Sequence, residues 1–80
     1  MESSAQDPWN KAVAAVVAAC RRDADLTQDD VAVELGMSRN TLVSVENGRR
    51  AMTVPELMKF AKLVKLSPAV LIDRIVRWRR

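Results

Sequence analysis

The chain is 80 residues long with a formal charge of +3, one cysteine, no histidine and a hydrophobic half dominated by Val, Ala and Leu. That length holds one small domain, which buries only about 60–65% of the surface its unfolded chain exposes. A single thiol without histidine excludes an intramolecular disulfide, a Cys/His or Ser/His catalytic pair and a zinc site, so no enzyme, metal or cofactor is expected.

No leader peptide and no apolar run of membrane-spanning length can be picked out, which leads to the expectation of a cytoplasmic protein. The charge is uneven. Residues 1–50 carry six Lys/Arg against eight Asp/Glu, a net of −2, and residues 51–80 carry seven against two, a net of +5. A basic C-terminal third either attracts nucleic acid or is a solvated surface, and charge alone does not separate the two. Alanine is abundant near the start, which favours helix over strand, and the expected class is all-α.

In chain order, residues 1–6 are polar and expected to be a disordered tail, with 7–80 a single domain. Asp7-Pro8 pairs an N-cap with proline at the first helical position. Trp9, Val13, Val16, Val17 and Cys20 then recur at helical spacing, the inner stripe of a helix ending near Asp23. Cys20 on that stripe reads as core rather than as a reactive thiol. Arg21 and Arg22 sit well against the helix dipole. A second helix opens on Thr27 with Asp30 three residues on, buries Val31, Ala32 and Leu35, and stops at Gly36, where a left-handed residue is cheapest. Ser38 caps a third helix with Leu42 and Val45 inward, and Gly48 closes it.

A helix, a three-residue turn and a second helix have the spacing of a helix-turn-helix. The outward residues of its second element are Arg39, Asn40, Thr41 and Ser44, all able to meet base edges in the major groove. Arg39 is the first candidate, because a guanidinium can bond guanine O6 and N7 together; Asn40 can do the same with adenine.

The basic loop Arg49-Arg50-Ala51 leads to Thr53 and Glu56, a capping box for a fourth helix. Leu57, Phe60, Ala61 and Val64 form its inner face, and Lys59, Lys62 and Lys65 lie outside. Ser67-Pro68 starts a fifth helix over 68–79. Four starts share a further signal, an apolar residue before the cap and another at the fourth helical position. The pairs are Leu26 with Val31, Met37 with Leu42, Met52 with Leu57 and Leu66 with Leu71.

The string from Thr27 to Arg49 resembles the helix-turn-helix of phage-repressor (Xre-type) transcriptional regulators. The residues that carry the resemblance are Thr27-Gln28, Leu35-Gly36, Ser38-Arg39 and Val45-Glu46-Asn47-Gly48-Arg49; a looser likeness runs from about Val13 to Ile72. The resemblance implies a five-helix domain that binds double-stranded DNA; as a homodimer it would bind a roughly palindromic operator. It also implies an ion pair between Arg21 and Glu46, and phosphate contacts for Gln28 and Asn47. Ser38, Arg49 and Arg50 extend that phosphate-facing edge. Asp25 and Lys65 stand where the family usually has glycine. Small members of the family include phage repressors, plasmid regulators and controllers of restriction–modification systems. The alternative is an antitoxin or bridging factor that uses the fold mainly to bind a protein, such as a toxin or a polymerase.

On the fifth helix Trp78, Leu71, Ile75, Ile72 and Val76 span an arc of about 160°. Leu71 and part of Ile72 serve the domain core. Ile75, Val76 and Trp78 are therefore expected to be left as a homodimer interface, Trp being a favoured anchor; a Trp78 folded back on its own domain is the other reading.

Overall fold

The structure is a computed structural model that describes residues 7–80; the tail expected at 1–6 lies outside them. Five helices follow in order, α1 (Pro8–Asp23), α2 (Gln28–Leu35), α3 (Arg39–Glu46), α4 (Val54–Leu63) and α5 (Pro68–Arg79), with no strand among the described residues. The all-α class and the helix starts agree with the sequence reading. No described helix is long and apolar enough to cross a membrane.

Each helix begins at the residue the sequence marks. Asp7, Thr27, Ser38, Thr53 and Ser67 are the N-caps, and each side chain accepts a backbone N–H of the first turn. Thr27 with Asp30 and Thr53 with Glu56 form reciprocal capping boxes.

The helix ends follow a single rule as well. Four of them close with a left-handed residue, Asp25 (φ 60°), Gly36 (φ 70°), Gly48 (φ 76°) and Lys65 (φ 61°). In each case this residue's N–H returns to a carbonyl three residues back, and the next residue's N–H returns five back. The longer bonds are Leu26 to Arg21 (3.1 Å), Met37 to Ala32 (3.0 Å), Arg49 to Ser44 (2.9 Å) and Leu66 to Ala61 (2.9 Å). These are Schellman closures. At α1–α2, α2–α3 and α4–α5 the apolar residue that follows the closure, Leu26, Met37 or Leu66, also precedes the next N-cap. One side chain therefore completes the closing motif of one helix and the opening staple of the next. Three of the four links are thus the same short turn, and only α3–α4 has a longer loop.

The core gathers Ala12, Val16, Val17 and Cys20 from α1, Val31, Ala32 and Leu35 from α2, Leu42 and Val45 from α3, Phe60 and Ala61 from α4, and Leu71 and Ile75 from α5. α1 packs on α3 and α5, and α2 packs on α3 and α4. Ala12, Ala14 and Ala18 are buried along α1, so its neighbours approach its backbone closely.

Two sequence expectations are corrected here. Trp9, placed on the inner stripe, is 49% exposed, and Ala12 one turn later makes the first core contact; the indole instead lies under the Arg79 guanidinium at 5.4 Å. Ile75, assigned to a dimer interface, is buried in the core at 4% exposure, while Ile72 is 46% exposed. α5 is rotated so that Leu71 and Ile75, one turn apart, face α1 and α4 together. Val76 is half-buried and Trp78 is 53% exposed in the last turn.

Candidate nucleic-acid interface

α3 is fixed from behind by Leu42 and Val45, both fully buried. Arg39, Asn40 and Asn47 are exposed, and Thr41, Val43 and Ser44 are half-buried. Ser38 Oγ accepts the Thr41 amide at 3.1 Å and lies 2.9 Å from the Thr41 hydroxyl. The Thr41 hydroxyl is thereby engaged at the cap. Arg39 Nε stands 3.9 Å from Asp29 Oδ1, with both side chains more than 60% exposed; a contact so long and so wet leaves the guanidinium free to move.

A partly buried polar knot ties α3 to α1 and α2. Arg21 Nε donates to Glu46 Oε2 at 2.8 Å and Nη2 to Glu46 Oε1 at 3.2 Å. Arg21 Nη1 donates to the Leu26 carbonyl at 2.9 Å, and Gln28 Nε2 donates to Glu46 Oε1 at 3.0 Å. Only 12% of the Arg21 and 7% of the Glu46 side-chain surface is open. The end of α1, the start of α2 and the end of α3 are joined through one carboxylate. Gln28, expected to face a phosphate, thus has its amide N–H turned inward toward Glu46.

The basic loop divides. Arg49 is exposed. Arg50 is held by Glu56, with Nη1 to Oε1 at 2.9 Å and Nη2 to Oε2 at 3.1 Å, and Nη1 also reaches the Ala51 carbonyl at 3.0 Å. The bidentate Arg50 bond and then the Thr53 amide hold the Glu56 carboxyl below its usual range, against the opposing effect of partial burial. Glu56 in turn raises Arg50 further above its usual value. Arg50 therefore serves the opening of α4 at least as much as the open surface.

One residue on the outward side of α3 went unmarked in the sequence. Val43 lies between the exposed residues and outside the core cluster. The helical wheel alone places it there; being apolar, it was passed over when polar readers were sought.

Residues 12–74 match the family model described as a helix-turn-helix domain. The chain belongs to this helix-turn-helix family. Its fold is shared with solved gene regulators, in agreement with the fold that the phage-repressor resemblance implies. The clp gene regulator ClgR from Corynebacterium glutamicum superposes with a TM-score of 0.83 at 20% identity, over 89% of this chain and 76% of that one. The wild-type restriction–modification controller protein C.Esp1396I superposes with a TM-score of 0.77 at 21% identity, over 88% of this chain and 92% of the other. At such identities the likeness is one of fold. A search of curated protein sequences finds no match. Within this domain α2 and α3 form the helix-turn-helix pair.

Proposed function

We propose that the protein is a sequence-specific DNA-binding transcriptional regulator that lays α3 in the major groove. The observation that carries this reading is the division of α3. Its inner residues are locked into the core and its end is tied to α1 and α2 through Glu46, while Arg39, Asn40, Ser44 and Asn47 are left at the surface. A rigid helix with planar and short polar groups along one side suits base-edge recognition. Arg39 and Asn40 take the base contacts, with Ser44 beside them and Thr41 contributing its methyl. Ser38, Asn47 and Arg49 meet phosphates. Gln28 and Arg50 are secondary in that role, since each already has an internal partner. The working unit is residues 7–80.

The operator is a rough palindrome read by a homodimer. Pairing runs through α5, whose uncovered apolar residues are Ile72 and Val76 on one flank and Trp78 in the last turn on the other, with the buried Leu71 and Ile75 between them. A two-fold pair would set two recognition helices about 34 Å apart.

Selection of a binding duplex from random DNA, followed by titration over a range of salt, tests the reading. The expected outcome is one enriched half-site motif and a log–log salt slope of about −2 to −4, set by Arg49 and Arg50 of two protomers. Arg39→Ala should weaken the selected site by about 1–3 kcal/mol and relax one base position. No enrichment, or an Arg39→Ala protein with unchanged base preferences, would overturn it.

A further inference from the structure

The outward side of α3 carries one apolar residue, the half-buried Val43, that belongs to neither the core cluster nor the residues packed against it. The direction opposite Leu42 and Val45 runs between Asn40 and Asn47. At 100° per residue Val43 lies about 50° from it, as close as Ser44 on the other flank and closer than Arg39. The core takes Leu42 and Val45 from this helix and leaves Val43 out. A β-branched residue also lowers the helix propensity of this eight-residue element relative to alanine.

The major groove presents one apolar feature among its donors and acceptors, the C5-methyl of thymine. Val43 offers a compact isopropyl group whose χ1 is restricted by branching, so little freedom is lost on contact. It sits one helical turn after Arg39 on the same side, about 5–6 Å along the axis. That span corresponds to one or two base-pair steps of about 3.4 Å.

We infer that Val43 is a specificity-determining residue that packs on a thymine methyl, one or two base pairs from the base read by Arg39. The inference rests on the DNA-binding reading above and goes further by naming the base and the atom.

The test uses the full chain and the selected duplex, with each thymine of the half-site replaced in turn by deoxyuridine, which removes only the methyl. Wild type should lose about fourfold in affinity at one of these positions, the value of burying one methyl-sized group. Val43→Ala should bind the thymine duplex about that much more weakly and show no deoxyuridine penalty there. Alanine is the better helix former, which offsets the loss of a half-buried side chain, so Val43→Ala should keep the helix content and cooperative unfolding of wild type. Deoxyuridine penalties that are identical in wild type and Val43→Ala would overturn the inference while leaving the DNA reading intact. Failure of any duplex to be enriched would remove both.

Discussion

Replacing Glu46 by glutamine keeps the shape of the side chain and removes the charge that joins three helices. The carboxylate accepts three hydrogen bonds, from Arg21 Nε at 2.8 Å, Arg21 Nη2 at 3.2 Å and Gln28 Nε2 at 3.0 Å. Glutamine has one acceptor oxygen, so its amide nitrogen must confront one of these donors. Arg21 would remain charged with 12% of its side-chain surface open to water. Breaking one side of such a pair costs about 3 kcal/mol. An 80-residue domain holds about 4–12 kcal/mol in total, so the loss is a large share. The melting temperature, followed by circular dichroism at neutral pH, should fall by about 12–24 °C. Arg21→Met combined with Glu46→Leu should recover most of it, because no charge is then left to desolvate. A Glu46→Gln protein that melts within about a degree or two of wild type would refute the claim that this knot holds α3 in place.

Lys65 closes α4 at φ 61°, a conformation that costs a side-chain-bearing residue about 1–2 kcal/mol and glycine much less; Lys65→Gly should therefore stabilise by about 0.5–1 kcal/mol in urea unfolding, net of glycine's greater freedom in the unfolded chain. Glu56 has a lowered pKa in the folded state through Arg50 and Thr53. Its contribution is full above the unfolded value of about 4.3 and is lost as the pH falls through the folded value. Melting temperature should drop as the pH is lowered from about 5 to about 3, and Glu56→Gln should be less stable than wild type at neutral pH but show a shallower drop. Sedimentation at micromolar concentration should find a wild-type dimer that Trp78→Ala weakens, with a wild-type monomer as the contrary result.

What could be read from the sequence was what local chemistry dictates. N-caps, capping boxes and left-handed closures each depend on a few adjacent residues, so Thr27, Ser38, Thr53 and Ser67 mark their helices without any tertiary knowledge. The departures on α1 and α5 share one cause. A helical wheel says which residues share a side, but not how far the helix is turned about its axis against its neighbours. Leu71, Ile72, Ile75 and Val76 all lie on one apolar arc, and only the packing of α5 on α1 and α4 selects Leu71 and Ile75 for the core. Trp9 begins the apolar stripe of α1 one turn before the core begins. The sequence points Arg50 and Gln28 toward phosphates and gives no sign of their internal partners, because Glu56 and Glu46 come from other elements. Val43, being apolar, carries no sequence signal for a base-reading role.

The most direct measurement of the central claim is a backbone amide NMR titration of the protein with its selected duplex. Perturbations should concentrate on Arg39, Asn40, Val43, Ser44 and Asn47 along α3, with a second set at the start of α2 near Gln28. A map centred instead on α5 would contradict the assignment of α3 as the reading helix.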